Sequence, residues 1–114
     1  MKKKYVVKKA KEFNDMIKKT KPLKNDCYII YSKKNNLGYD RFGISVGKKL
    51  GNAVFRNKYK RKLRNIIDDY QKLFSNSKDY IIIVRGKCKL ISYLEMKEKF
   101  NSLMAKGEDV NEKK

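Results

Sequence analysis

The sequence predicts a single α/β sandwich domain (α+β in layout), two layers thick, with helices laid on a small, mostly antiparallel sheet. Three observations carry that expectation. Apolar residues make up 40% of the 114 and gather in short blocks, enough for one modest core. The blocks switch between helical and strand spacing in the order α-β-β-α-β-α. No internal repeat or low-complexity linker interrupts them, so residues 1–114 read as one domain with flexible ends near 1–6 and 105–114.

Each element has its own signal. In residues 9–19, Ala10, Phe13, Met16 and Ile17 stand at helical spacing between lysines, an amphipathic helix that Lys21-Pro22 ends, since proline disfavours helix in the residue before it. Cys27-Tyr-Ile-Ile-Tyr31 is β-branched and aromatic, a strand. Lys33 to Gly38 reads as a loop making a hairpin connection to a second strand. There Phe42, Ile44 and Val46 alternate with Arg41, Gly43 and Ser45. From Arg56 to Phe74 an apolar stripe (Tyr59, Leu63, Ile66, Ile67, Tyr70, Phe74) marks a long helix, which Ser75-Asn-Ser-Lys ends. Tyr80-Ile-Ile-Ile-Val84 is continuous and apolar, as an interior strand covered on both faces should be. Ser92-Tyr-Leu-Glu95 has the spacing of a capping box, and Tyr93, Met96, Phe100, Leu103 and Met104 give the last helix its buried stripe.

Charge narrows the function. Lys and Arg number 31 against 12 Asp and Glu, a net charge of +19, which repels itself in a compact fold and favours a polyanionic partner. No apolar run suits a signal peptide or approaches the ~20 residues of a membrane span, so a soluble cytoplasmic protein is expected, with no membrane partner. Cys27 and Cys88, far apart in sequence and each in an apolar block, read as two buried reduced thiols. The chain has no histidine, which removes His-based triads, paired-His nucleases and His-ligated metal sites. Asp68 and Asp69 are adjacent and diverge by about 100° on a helix, so they cannot clamp one metal and read as solvated. Asp40 and Asp79 read as turn residues at the starts of strands. No catalytic or metal-binding residue is expected.

The informative stretch runs from Gly43 to Arg64. A strand is delivered into a glycine-bearing turn, Gly47 to Gly51, that holds Lys48 and Lys49, and glycine there permits a tight turn and close approach to a ligand. The long helix then opens with Arg56, Asn57, Lys58, Lys60, Arg61, Lys62 and Arg64. At about 100° per residue, Asn57, Lys60, Arg61 and Arg64 share roughly a 100° arc, mostly outside the apolar stripe. Between Lys48 and Arg64 there is no acidic residue, whereas a merely solvated helix face mixes signs. Arginine forks fit phosphate oxygens, asparagine can reach a base edge or 2′-hydroxyl, and a helix N-terminus favours anions.

This stretch, Lys48-Lys-Leu-Gly-Asn-Ala-Val-Phe-Arg-Asn-Lys-Tyr-Lys-Arg-Lys-Leu-Arg64, resembles the signature of the bacterial ribonuclease P protein component. The likeness runs from about Val7 to Met104 and includes Phe42-Gly-Ile-Ser-Val46 and Asp79-Tyr-Ile-Ile-Ile-Val84. It implies a sandwich whose parallel βαβ unit crosses over in the left-handed sense, against the general right-handed rule. It implies a protein subunit that binds ribonuclease P RNA and the 5′ leader of precursor tRNA, raising substrate affinity and effective metal use. The RNA performs the Mg²⁺-dependent hydrolysis, and the protein itself carries no cofactor.

Residue by residue, the resemblance places Lys48, Lys49, Asn52, Arg56, Asn57, Lys58, Lys60, Arg61 and Arg64 against the catalytic RNA. Lys58 stands where the family's triplet ends in arginine, keeping the charge and losing the bidentate fork. A leader-binding cleft between the first helix and the sheet would be lined by Phe13, Ile17 and Tyr31. Ile17 occupies an aromatic position and can pack on a base without stacking as a ring does. From the residues alone, Phe13 and Tyr31 would be core. Competing readings are a basic ribosomal-type structural protein, a DNA-binding module and a self-contained protein ribonuclease. The first does not account for the ordered motif, the second lacks a helix-turn-helix partner, and the absent histidine weighs against the last. No DNA partner, and no homo-oligomer without RNA, is expected.

Overall fold

The computed structural model describes residues 10–73 and 77–112. Four strands form one sheet: β1 (Leu23–Lys24), β2 (Tyr28–Lys34), β3 (Arg41–Val46) and β4 (Lys78–Val84). Three helices accompany it: α1 (Ala10–Lys19), α2 (Ala53–Leu73) and α3 (Tyr93–Glu112). Short 3-10 turns, Lys48–Leu50 and Gly86–Leu90, link β3 to α2 and β4 to α3. Phe74 and the Ser75-Asn76 stop signal lie outside the described residues, as do residues 1–9 and 113–114.

The strand order is β1-β2-β4-β3, which corrects one expectation. Strands β2 and β3 are not a hairpin, because β4 lies between them, antiparallel to β2 and parallel to β3. The physical reason is burial. Residues 80–82 and Val84 are buried, so β4 needs a neighbour on each edge, and a local hairpin would have left one edge bare. The long helix α2 is therefore the crossover between two parallel neighbours.

Period-two alternation sorts the strands into two faces. Tyr28 and Ile30, Phe42 and Val46, and Tyr80, Ile82 and Val84 join the main core. Helix α2 closes that core with Tyr59, Leu63, Ile66, Ile67 and Tyr70, and α3 with Met96, Phe100, Leu103 and Met104. The stripe read from spacing is thus the stripe that is buried. Rings give it shape: Phe42 stacks on Tyr80 with centroids 4.9 Å apart, and Phe100 meets Tyr28 and Tyr70 edge-on. The Tyr28 hydroxyl donates to the Met96 carbonyl at 3.0 Å, tying β2 to α3. Helix α1 packs on β2 from the other face, where Met16 and Ile81 are buried outside the main core.

Other sequence expectations change in detail. The α2 helix starts three residues before Arg56, because Asn52 caps it. In the Ser92–Glu95 box the Glu95 N–H donates to Ser92 Oγ at 3.2 Å, while the serine hydroxyl turns to the Glu95 carboxylate. The two cysteines are not separate thiols: Cys27 and Cys88 are joined as a disulfide, both wholly buried, with Cα atoms 4.7 Å apart. Antiparallel pairing of Tyr28 with Val84 and the Arg85 N–H bond to the Cys27 carbonyl bring those chain-distant segments together.

Asp40 and Asp79 stand at the entries to β3 and β4, and both are buried there, at 2% and 6% exposed. The Asp40 carboxylate accepts from the Lys78 N–H at 2.9 Å. Asp79 accepts from Arg41 Nε at 2.8 Å and Nη2 at 2.6 Å, and from Asn35 Nδ2 at 2.9 Å. Burial opposes ionisation of Asp79, but these donors outweigh it and hold the carboxyl below its ordinary value.

Candidate nucleic-acid interface

The interface is built outward from the end of β3. Past Val46 the chain makes the 3-10 turn, closed by the Leu50 N–H on the Gly47 carbonyl at 3.0 Å, and Lys48 and Lys49 stand exposed on it. Leu50 packs against the core and anchors the turn. Gly51 is needed for an internal reason: a Cβ there would lie 2.5 Å from Phe55 Cδ1. The close approach that glycine permits is thus to the protein's own ring, and nothing lies within 4 Å of a Cβ built on Gly47.

Asn52 acts locally as well. Its side-chain oxygen accepts the Phe55 N–H at 2.9 Å, the N-cap bond of α2, and its carbonyl takes the Arg56 N–H at 2.9 Å. That oxygen is therefore committed to the helix, while the residue itself remains exposed. The cap fixes the axis on which the basic residues project.

Along α2, Asn57, Lys58, Arg61 and Arg64 are exposed, and Arg56 and Lys60 are half-buried. The arc drawn from helical geometry is therefore a real surface, because Tyr59, Leu63, Ile66 and Ile67 pin the opposite side to the sheet. Arg56 differs from its neighbours: its Nε is shielded from solvent and has no hydrogen-bond partner among the described residues. Arg41 pairs with Asp79, Lys72 and Lys97 with Asp69, and Lys99 with Asp26, and none of these four pairs uses a residue of the Lys48–Arg64 stretch. This also corrects the reading of Asp69, whose carboxyl is held low by its hydrogen bond from Lys97 and takes part in the α2–α3 contact.

Two further cations, Lys62 on α2 and Lys89 beside it, lie outside the nine residues assigned to RNA contact. Lys89 Nζ sits 4.9 Å from the centre of the Phe55 ring, and Lys62 Nζ 5.2 Å from that of Tyr59, cation–π distances both. The Tyr59 hydroxyl donates to the Cys88 carbonyl at 3.1 Å, so the turn Gly86–Leu90 lies beside α2. Only the alternation of exposed Lys87 and Lys89 around buried Cys88 hinted at this in the sequence.

Phe13, Ile17 and Tyr31 belong to the other face of the sheet. All three are half-buried and outside the main core, so the core reading of the two aromatics does not hold. The structure therefore does not gather all twelve candidate residues on one surface. Nine lie on the turn and α2, and three lie on the α1 side. The register places Tyr31, Ile81 and Gly43 in one row across β2, β4 and β3, with Ile29, Ile83 and Ser45 in the next. That second row leads toward Gly47 and the lysine turn.

Among the described residues, no group of three or more His, Cys, Asp or Glu is placed to hold a metal ion. None of their helices is long and apolar enough to cross a membrane.

Comparison with known proteins agrees with this geometry. The family model described as Ribonuclease P matches residues 1–108. The ribonuclease P protein component of Mesoplasma florum is 43% identical over 107 residues, covering 93% of this chain and 97% of its own length. That of Mycoplasma mycoides subsp. mycoides is 44% identical, covering 91% and 96%. The ribonuclease P protein of Staphylococcus aureus superposes with a TM-score of 0.83 at 33% identity, over 90% of this chain and 94% of that one. Matched in sequence over nearly its whole length, and in fold as well, the chain belongs to the family of bacterial ribonuclease P protein components.

Proposed function

We propose that this chain is the protein subunit of ribonuclease P, the RNA-based endonuclease that removes the 5′ leader from precursor tRNA. The observation that carries the reading is the acid-free face from Lys48 to Arg64, held in place by the Asn52 cap and the buried stripe of α2. It binds the catalytic RNA. Lys48 and Lys49 reach it from the turn, and Asn57, Lys58, Lys60, Arg61 and Arg64 from the helix. Arginine forks grip phosphate pairs and the lysines add unspecific attraction. Arg56, with a desolvated donor in want of an acceptor, contacts the RNA at the edge of this face. Asn52 contributes through its position as cap more than through its side-chain oxygen.

The half-exposed Phe13, Ile17 and Tyr31 hold the leader on the opposite face, where base stacking on an aromatic ring is worth about 1–3 kcal/mol. The Mg²⁺ ions that activate water belong to the RNA subunit, and this chain orients substrate and screens phosphate repulsion. Such a role places the protein in the cytoplasm, with precursor tRNA and the ribonuclease P RNA as its partners.

Precursor-tRNA cleavage at low salt, with the protein alone, a bacterial ribonuclease P RNA alone and the two together, tests the proposal. Correct 5′ maturation is expected only when the RNA is present, and enhanced by the protein. Cleavage by the protein alone, or no effect on the RNA, would overturn it.

A further inference from the structure

At the end of the α1 face away from the lysine turn, the protein has a pocket of about 470 Å³. Its walls include Met16 of α1, Lys33 and Lys34 at the end of β2, Leu37 in the following loop, and Arg41 and Asp79. We infer that this pocket is a subsite for the leader nucleotides farthest from the cleavage point. The inference rests on the reading of the α1 face as the leader cleft and gives that cleft a direction and an end.

The sheet register supplies the direction. Lys33, Asp79 and Arg41 form one row across β2, β4 and β3; Tyr31, Ile81 and Gly43 form the next; Ile29, Ile83 and Ser45 the third. Beyond the third row the chain reaches Gly47 and then Lys48 and Lys49. Alternate residues are roughly 6.6 Å apart along a strand, so the charged row lies roughly 20 Å from the turn that meets the catalytic RNA. On the proposed reading the lysine turn meets the catalytic RNA, so the scissile end of the leader is assigned to that end of the face. A leader following the face therefore passes the half-exposed Tyr31 first and the pocket last.

The pocket has the chemistry for single-stranded RNA. Three cationic side chains, Lys33, Lys34 and Arg41, face one carboxylate, Asp79. Arg41 and Asp79 hold each other through two hydrogen bonds, and Asn35 Nδ2 donates to both the Tyr39 carbonyl and Asp79, so that wall is prearranged. Lys33 and Lys34 are exposed and supply positive charge for a phosphate. Met16 and the 44%-exposed Leu37 give an apolar surface against which a base can pack. The net positive charge excludes a basic partner peptide, and an apolar wall beside paired lysines suits a nucleotide better than a bare phosphate.

The test uses the reconstituted holoenzyme and precursor tRNAs with leaders of graded length, measuring Kd at fixed salt. Phe13→Ala marks the leader length at which the cleft itself is first occupied. The double variant Lys33→Ala/Lys34→Ala is expected to lose about fivefold in affinity. That loss should begin only with leaders longer than the Phe13 threshold, and the melting temperature should stay put. Equal loss at every length, leaderless tRNA included, would place the lysines against the tRNA body or the RNA subunit and overturn the subsite. No loss at any length would overturn it too. If Phe13→Ala shows no dependence on length, the cleft reading itself falls, an outcome distinct from failure of the pocket alone.

Discussion

The two halves of α2 share one apolar stripe and differ in everything else. In the first, from Ala53 to Arg64, the outer surface carries six Lys and Arg residues and no acid. In the second, Asp69 is hydrogen-bonded to Lys97 of α3 and lies 3.7 Å from Lys72. Tyr59 and Leu63 bury the first half as firmly as Ile66, Ile67 and Tyr70 bury the second. The fold thus treats both alike, and charge alone separates the surface proposed to meet RNA from one used to hold a neighbouring helix. The first half concentrates like charge without an acid of its own, and a bound polyanion stabilises such a surface by mass action.

Three substitutions or conditions bear on this contrast, in order of expected effect. Ile66→Ala strikes the stripe both halves depend on, leaves a cavity in a fully buried site, and should cost about 2–5 kcal/mol in denaturant titration. A much smaller cost would mean that the second half does not hold the helix down. Arg64→Ala should lower RNA affinity about tenfold, or ~1.4 kcal/mol, with an unchanged melting temperature. Lys97→Ala should do the reverse, lowering the melting temperature slightly and leaving RNA affinity alone. If the two variants behaved alike, the division of the helix would be wrong.

Acid gives the gentlest test. The Asp79 carboxyl is held below its ordinary value of 3.8, so its contribution to stability is complete above that value and is lost as pH falls through the lower folded value. Asp79→Asn should flatten the fall of melting temperature below about pH 4, a range in which the Lys and Arg face stays fully charged. An acid limb unchanged by Asp79→Asn would show that other carboxylates set it.

Much of this was legible in the chain. The stripes of α2 and α3, the strand at 80–84 and the acid-free motif are local patterns, and local patterns survive being read one residue at a time. Pairings across the chain were not legible. The Asp79–Arg41 clamp, the Cys27–Cys88 bridge and the insertion of β4 between β2 and β3 join residues 38 to 61 positions apart. Asn52 illustrates a subtler limit, since a residue in a binding motif can serve by shaping the helix. Phe13 and Tyr31 show the opposite case: spacing alone puts them inside, and only the packing of α1 on one face of the sheet leaves them half-exposed.

The central place of β4 also sets the order of events during synthesis. Residues 28–46 have left the ribosome well before residues 78–84, yet β2 and β3 meet only through β4. Until that strand arrives, the stripe of α2 has no completed sheet to cover it, and the basic helix emerges as a charged, apolar-sided segment without a home. Contacts of such long sequence separation slow folding, because the loop they close must be ordered before they contribute anything. The nascent chain is therefore most exposed to its polyanionic surroundings at the stage when it is least folded.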